Sequence, residues 1–219
     1  MNGTNTGPAC RIDASKERLI TGLPTDMYSA RDLGGIWGVN GHYSKVLAEH
    51  LSEADVELVD TATPDEGFPD TVAHIKSRFE DYLSHAPAVD VSVLFDVILH
   101  QTCPVHFLKQ VTDTTEHRIL IAQPLLAEAN PVCMNLQFLS DPEWRHYQLD
   151  SLDRWSRLNG RPSLWTTGAW AWGQSLTWLT YTLKGFGWVV EPDSIMARQD
   201  PSITYFYHWY ATFKPRDER

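Results

Sequence analysis

The chain has 219 residues, of which 42% are hydrophobic and 21% are charged, a composition typical of one globular domain with a sizeable core. Its formal net charge of −10 disfavours binding to nucleic acid or to an anionic membrane, since both would repel it at long range. No secretory leader and no apolar run long enough to span a bilayer are evident. We therefore expect a cytoplasmic protein that forms one domain over residues 1–219.

The first half of the chain predicts helices that alternate with short apolar strands. Residues 1–14 are small, polar and turn-forming, and we expect them to form a flexible tail. Apolar residues at helical spacing predict the helices over 42–51 and 70–83, and the second of these has Val72, Ile75 and Phe79 on one face. The predicted order is helix 14–23, strand 27–32, helix 42–51, strand 55–60 and helix 70–83.

The second half continues this alternation and then changes character. Near-continuous apolar runs predict two buried strands, and a proline opens the helix between them. Residues 127–164 are too polar and too rich in proline for another strand and helix, so we interpret them as a cap insertion. The predicted order is strand 89–100, helix 104–113, strand 117–126, the cap, a helix ending at Gly185, a strand through Val190 and a last strand over 202–214.

This order indicates an α/β fold with a mainly parallel sheet and helices on both of its faces. The last two predicted strands have a short connection, which favours an antiparallel pair. The three cysteines are widely spaced, so neither a disulfide framework nor a zinc site is indicated. No tight pair of carboxylates marks a metal site, and we expect none.

A glycine cluster follows the first predicted strand in the stretch RDLGGIWG. In an open parallel sheet, ligands bind outside the carboxyl ends of the strands, where the strand order reverses. Gly34, Gly35 and Gly38 would let the backbone approach such a ligand closely. Asp60 ends the next strand, where a carboxylate can accept hydrogen bonds from both hydroxyls of a ribose. The glycine spacing does not match the G-x-G-x-x-G pattern of dinucleotide-binding proteins.

These motifs resemble, in the same order, those of the class I S-adenosylmethionine-dependent methyltransferases. RDLGGIWG is similar to their Asp-x-Gly-x-Gly-x-Gly motif, LVD to their ribose-binding acid, and VSVLFDVILHQ to the end of their fourth strand. KGFGWVVEP resembles the stretch before their sixth strand, and the last strand fits their antiparallel seventh. Ile36 departs from the pattern, because the family usually has its middle glycine there.

The resemblance implies a Rossmann-like, doubly wound, seven-stranded sheet with an antiparallel last strand, and a cap insertion after the fifth strand. It implies S-adenosylmethionine as cofactor and S-adenosylhomocysteine as product. By resemblance, Asp32 and the glycine backbone hold the methionine part, Asp60 the ribose, and the RFEDY segment the adenine. The predicted cofactor-binding residues are Asp32, Gly34, Gly35, Gly38, Asp60, Thr61, Phe79, Glu80, Phe95 and Asp96.

A hydroxyl acceptor needs a base that takes its proton as it attacks the methyl group. Histidine suits this task at neutral pH. His146 lies in the cap and His100 follows the fourth strand, so either could reach the acceptor, and either could instead be structural. Glu128 is a further candidate for the base. For the histidines on predicted helix faces or in loops, solvated roles are the simpler interpretation: His42, His50, His74, His85 and His117.

The cap and the segment after it are rich in tryptophan, whose flat indole suits the apolar face of a sugar or an aromatic acceptor. Packing of the cap on the sheet is the alternative interpretation. The predicted substrate-binding residues are Trp144, Trp165, Trp170 and Trp172. The chain length and this tryptophan-rich region also resemble mycobacterial sugar O-methyltransferases of methylmannose polysaccharide biosynthesis.

The best hypothesis is therefore methyl transfer to a hydroxyl of a small acceptor, a sugar or an oligosaccharide such as a mannoside. A phenolic or carboxylate natural product is the alternative acceptor. Two hypotheses from other classes are a nicotinamide-dependent oxidoreductase, which the glycine spacing disfavours, and a non-catalytic glycan-binding module built on the tryptophans. We expect no nucleic-acid or membrane partner, and a homodimer is the default assembly.

Overall fold

A computed structural model of the chain describes residues 12–36, 39–126, 129–135, 172–199 and 206–216. The strands are β1 (Ser29–Leu33), β2 (Asp55–Asp60), β3 (Val72–Lys76), β4 (Val89–Phe95), β5 (Thr115–Leu126), β6 (Cys133–Asn135), β7 (Trp172–Gln174), β8 (Trp188–Val190), β9 (Met196–Gln199) and β10 (Phe206–Pro215). The helices are α1 (Ala14–Thr21), α2 (His42–His50), α3 (Phe79–Leu83), α4 (Pro104–Asp113) and α5 (Leu176–Gly185).

The central sheet has the order β3-β2-β1-β4-β5-β10-β8, and β9 pairs with β10 outside this path. Strands β1 to β5 pair in parallel. Strand β10 is antiparallel to β5, to β8 and to β9. The predicted doubly wound α/β sheet with an antiparallel last strand is confirmed, and β9 adds a short edge strand to the expected seven.

Local sequence signals explain where the helices begin. Helix α1 begins after Asp13, whose carboxylate accepts a hydrogen bond from the Ser15 N–H. Helix α4 has a proline in its first turn, where a missing N–H costs nothing. The Ser175 hydroxyl caps α5 by accepting from the Trp178 N–H. The caps fix the first residues of α1 and α5, whereas their buried leucines place the two helices on opposite faces of the sheet.

Two hydrophobic clusters cover the two faces of the sheet. One lies under α1 and α2 and contains Ile20, Leu47 and Val93, all almost fully buried. The other lies under α3, α4 and α5 and includes Leu94 and Phe107. Neighbouring residues of β4 thus point to opposite faces, as the pleat of a strand requires. The prediction of helices on both faces is confirmed.

The prediction of a helix over residues 70–83 is wrong in its first half. Val72–Lys76 forms β3, in parallel register with β2 from the pair Val56 and Val72 to the pair Asp60 and Lys76. Only Phe79–Leu83 is helical. The residues of this short stretch fit both a period of two and a helical spacing, and the unpaired edge of β2 decides between them by satisfying the backbone of β3.

The sequence analysis also missed β9, a four-residue strand that pairs only with β10 among the described strands. Short edge strands have a weak apolar pattern, because one of their sides has no partner. Of the predicted cap, residues 129–135 lie in the described part of the chain. They carry β6, which pairs with β7 in a separate two-stranded antiparallel sheet.

Within the described ranges, none of the helices combines the length and the apolar character that crossing a lipid bilayer would need.

Candidate functional site

The strand order reverses between β1 and β4, which both end at the carboxyl edge of the sheet. A crevice of this kind is the usual ligand site of an open α/β sheet. The predicted cofactor residues in the described ranges lie at or just after the carboxyl ends of β1, β2 and β4, three adjacent strands, or at the start of α3. The structure thus brings most of them to one edge.

The glycine turn after β1 is anchored to β2, because the Gly34 N–H donates to the Val59 carbonyl at 2.9 Å. Gly34 has φ +91°, and a Cβ there would overlap Val97 Cγ1. A Cβ on Gly35 would overlap the Asp32 carboxylate. Contacts with side chains beneath the turn therefore require these two glycines, a reason that the sequence analysis did not foresee.

Asp60 is the last residue of β2, and each of its carboxylate oxygens accepts a hydrogen bond from a backbone N–H group. Its Oδ2 accepts from the Ile36 N–H at 3.2 Å, and its Oδ1 accepts from the Ala62 N–H at 2.9 Å. The side chain joins the glycine turn to the end of β2. Each carboxylate oxygen can accept more than one hydrogen bond, so both retain capacity for a ligand hydroxyl.

Asp32, on β1, is buried beneath the turn and accepts a hydrogen bond from the Ser44 hydroxyl at 2.6 Å. Burial raises the pKa of Asp32 to about 6; the Ser44 hydroxyl opposes this rise, the negative charge of Asp60 adds to it, and the positive charge of Lys16 offsets a smaller part of it. No basic side chain of the described residues forms an ion pair with Asp32. The site therefore carries two acidic groups at close range, an arrangement that favours a cationic ligand.

The other predicted cofactor residues near β2 and α3 lie around this turn. The Phe79 ring comes within 3.4 Å of an ideal Cβ on Gly34, and it packs against Phe107 with ring centroids 5.8 Å apart. Glu80 approaches Arg78, with 3.8 Å between the charged atoms. Thr61 directly follows Asp60 and is exposed. The contact between Phe79 and the turn was not predictable from their spacing in the chain.

The end of β4 holds the remaining predicted pair. The buried Phe95 ring meets Tyr43 edge to face, with centroids 5.3 Å apart. Asp96 has φ +58°, a left-handed conformation that is uncommon outside glycine. Its Oδ2 accepts from Lys16 Nζ at 2.6 Å, and its Oδ1 lies 3.3 Å from His208 Nε2.

The sequence analysis singled out neither Lys16 nor His208. Lys16 lies on α1 and His208 on β10, so these partners of Asp96 are remote along the chain. One signal was available for His208: it lies near the start of an antiparallel last strand, and that start meets the carboxyl edge of the parallel strands. A polar residue among aromatics at this position was a candidate site residue.

His100 and Trp172 are the two acceptor-side predictions within the described ranges. His100 ends a 3₁₀ turn, Ile98–His100, which follows β4 at the carboxyl edge. The Trp172 indole N–H donates to the Gln101 carbonyl at 2.8 Å, which ties β7 to this segment. The other predicted site residues lie outside the described residues: Gly38, Glu128, Trp144, His146, Trp165 and Trp170.

The sequence matches no protein-family model and no curated protein. Its fold is similar to that of Burkholderia thailandensis 1,6-didemethyltoxoflavin-N1-methyltransferase with bound S-adenosylhomocysteine, with a TM-score of 0.61 and 12% identity over 97% of this chain and 80% of that one. The N-terminal domain of EvdMO1, in the presence of SAH and D-fucose, gives a TM-score of 0.61 and 10% identity over 94% of this chain and 84% of that one.

An O-methyltransferase family protein from Burkholderia thailandensis gives a TM-score of 0.55 and 12% identity. It matches 91% of this chain but only 55% of its own length, so this chain spans little more than half of that protein. At such identities the likeness concerns the fold. The chain has the Rossmann-like fold of S-adenosylmethionine-dependent methyltransferases.

Proposed function

We propose that this chain is an S-adenosylmethionine-dependent methyltransferase that acts on a hydroxyl of a small acceptor. The observation that carries the proposal is the pair of acidic side chains, Asp32 and Asp60, at the reversal of strand order in a methyltransferase fold. S-adenosylmethionine, when bound, supplies a methyl group on a cationic sulfonium.

The residues at this edge have the chemistry that such a cofactor requires. The buried carboxylate of Asp32 has no ion-pair partner among the described residues, and a cationic methionine part would supply the missing positive charge. Asp60 retains acceptor capacity for ribose hydroxyls. The backbone of Gly34, Gly35 and Gly38, together with Thr61, Phe79, Glu80, Phe95 and Asp96, completes the proposed cofactor site.

For the acceptor, we propose a sugar or an oligosaccharide hydroxyl, with a mannoside as the first choice. The tryptophan-rich region supports this class, and so does the fold neighbour that was solved in the presence of D-fucose. A phenolic or carboxylate natural product is the second candidate acceptor, and the fold neighbour that methylates 1,6-didemethyltoxoflavin shows that this fold also serves acceptors other than sugars. A cytoplasmic location, a homodimer, and a single domain with a tail over 1–14 and a cap over 127–164 remain predictions.

The first test is calorimetric titration of the purified chain with S-adenosylhomocysteine and, separately, with NAD. We expect micromolar binding of S-adenosylhomocysteine and no binding of NAD. Binding of NAD alone would overturn the proposal in favour of an oxidoreductase. If neither ligand binds while a column of immobilised glycan retains the chain, the proposal of a methyltransferase is replaced by that of a non-catalytic glycan-binding module.

The second test offers radiolabelled S-adenosylmethionine with two acceptor panels, one of methyl glycosides and D-fucose and one of catechols and phenolic acids. We expect methylation of the sugar panel. Transfer only to the aromatic panel would keep the methyltransferase and replace the acceptor class.

A further inference from the structure

We infer that His208, held by Asp96, is the catalytic base that takes the proton of the acceptor hydroxyl. This inference rests on the proposed function and names a residue for it on β10, outside the predicted cap. It replaces neither the fold nor the cofactor assignment.

The location of His208 follows from the register of two strand pairs. His208 lies opposite Pro124 in the antiparallel pair of β10 and β5, near the carboxyl end of β5 at Leu126. Asp96 follows β4 at the same edge, and its N–H donates to the Ala122 carbonyl of β5 at 2.8 Å. The residue after Asp96, Val97, lies against Gly34 of the proposed cofactor turn. His208 and Asp96 therefore lie at the same carboxyl edge of the sheet as the proposed cofactor turn.

Asp96 is fixed from two directions. Lys16 Nζ donates to Oδ2 at 2.6 Å, and the same ammonium lies 5.3 Å and 5.4 Å from the ring centroids of Tyr43 and Phe95. The side chains of Lys16 and Asp96 are only 9% and 11% exposed. The other oxygen, Oδ1, faces His208 Nε2 at 3.3 Å. Asp96 can thus orient the imidazole and stabilise it when it is protonated.

The plane of the His208 ring is also fixed. It stacks on Tyr210, with centroids 5.2 Å apart and an interplanar angle of 22°. The Tyr210 hydroxyl donates to Asp13 Oδ2 at 2.5 Å. Burial would raise the pKa of Asp13, but hydrogen bonds from Tyr210 and Ser15, together with the nearby side chains of His208 and Lys16 in their charged forms, outweigh it and lower that pKa. Asp13 is therefore a stable anionic acceptor that holds the stacked ring.

His208 Nε2 is buried and lies 3.3 Å from Asp96 Oδ1, close enough for an ion pair but outside hydrogen-bond geometry. The nearby negative charge favours the Nε2–H tautomer, which leaves the lone pair on Nδ1. Nδ1 makes no hydrogen bond to any residue that the structure describes, and the His208 side chain is 17% exposed. The arrangement of nucleophile, base and orienting carboxylate is the general pattern of base-assisted attack. The left-handed backbone of Asp96 adds to this, since strained conformations cluster at functional sites.

The acceptor oxygen forms a bond to the methyl carbon while the carbon–sulfur bond breaks and leaves its electron pair on sulfur. The O–H proton passes to His208 Nδ1, which gives an imidazolium beside the Asp96 carboxylate. His208 later releases this proton to solvent.

The first experiment compares His208→Gln with the matched control His117→Gln. His117 also faces an aspartate, with 3.6 Å between Nε2 and Asp90 Oδ1, but it is 58% exposed and lies at the start of β5, at the opposite edge of the sheet. We expect His208→Gln to lower kcat with D-fucose at least 100-fold. The control variant should keep kcat, and both variants should bind S-adenosylhomocysteine with wild-type affinity.

An acidic acceptor separates a base from a structural residue. With 4-nitrocatechol, whose more acidic hydroxyl is ionised near neutral pH, His208→Gln should lose less than about tenfold, since no base is then needed. Equal losses on both acceptors, or full activity on D-fucose, would overturn the inference. Failure of the wild-type chain to bind S-adenosylhomocysteine would instead overturn the proposed function.

The second experiment requires no turnover. In long-range proton–nitrogen spectra of the ¹⁵N-histidine-labelled chain with S-adenosylhomocysteine, the His208 signals are identified by their loss in His208→Gln. We expect the Nε2–H tautomer, with Nδ1 unprotonated, at pH 8. A Nδ1–H tautomer would overturn the inference, because Nδ1 could not then accept a proton.

Discussion

Two aspartates at the carboxyl edge of the sheet differ in how their charge is balanced. Asp32, on β1, is buried with the Ser44 hydroxyl as its partner and with Asp60 nearby, and its pKa is raised to about 6. Asp96, after the adjacent strand β4, is paired with Lys16 and His208. Among the described residues, the two carboxylates of the first cluster have no ion-paired cation, although Lys16 acts on Asp32 from a distance, whereas Asp96 has Lys16 in direct contact.

This difference separates two tasks at one edge. A buried carboxylate without a cationic partner destabilises the folded chain when no ligand is bound, and a cationic ligand that supplies the missing positive charge is therefore favoured. A compensated carboxylate needs no ligand, so it can serve to orient a neighbouring side chain. We therefore propose that the Asp32 and Asp60 cluster binds the charged and ribose parts of the cofactor, and that Asp96, at the border of the same cofactor site, also orients His208 for acceptor activation.

The largest effect is expected for Asp60→Ala, which tests the ligand role of the first cluster. The change removes the ribose acceptor and leaves the Ile36 and Ala62 N–H groups without their carboxylate. We expect the affinity for S-adenosylhomocysteine to fall about 1000-fold, roughly 4 kcal/mol, by calorimetry. Asp55→Ala, at the exposed start of the same strand, is the control. Binding within tenfold of wild type would remove Asp60 from the site.

Lys16→Met tests whether the second cluster is compensated by its own cation. Breaking a buried ion pair leaves an uncompensated charge, so we expect the free energy of unfolding to fall by about 3 kcal/mol in urea. Lys45→Met breaks an exposed pair with Glu49 and should cost no more than about 0.5 kcal/mol. Equal small losses in the two variants would show that Asp96 does not depend on Lys16.

Asp32→Asn tests the charge deficit through pH. Burial raises the pKa of Asp32 from 3.8 to about 6, so between these values the native chain holds a proton that the unfolded chain has released. Stability therefore falls as pH rises through this window, by roughly 2 to 3 kcal/mol in total. We expect Asp32→Asn to recover about 2 kcal/mol at pH 8 and nothing below pH 4. The exposed Asp26→Asn is the control, and a destabilised Asp32→Asn variant at pH 8 would contradict the deficit.

The smallest effect is expected for Ser44→Ala, which removes the hydroxyl that opposes the raised pKa of Asp32. We expect a loss of about 1 kcal/mol at pH 8 and a smaller loss at pH 4, where Asp32 is protonated. Urea unfolding at both pH values measures this difference. The exposed Ser52→Ala is the control, and a loss independent of pH would mean that Ser44 acts by packing alone.

The prediction of the fold succeeded where the local pattern admits one structure. The proline that opens α4 favours one element, which was confirmed. The strand predicted over 89–100 was confirmed as far as Phe95, whereas Ile98–His100 forms a 3₁₀ turn. The stretch from Val72 to Lys76 fits two periodicities, and only the free edge of β2 selects the strand. Strand β9 was missed for another reason: its four residues have only β10 as a described partner, and such an edge strand has a weak apolar pattern.

The amino-acid sequence by itself determined the alternation of strands and helices, the glycine turn and the acid that ends β2. These features depend on residues that are close in the chain, so local propensity and spacing reveal them. The tertiary structure alone decided that Lys16, Asp96 and His208 meet and that Val97 lies beneath Gly34. Contacts of this kind depend on strand order and register, which bring together elements that are remote in the chain and leave no periodic signal in it.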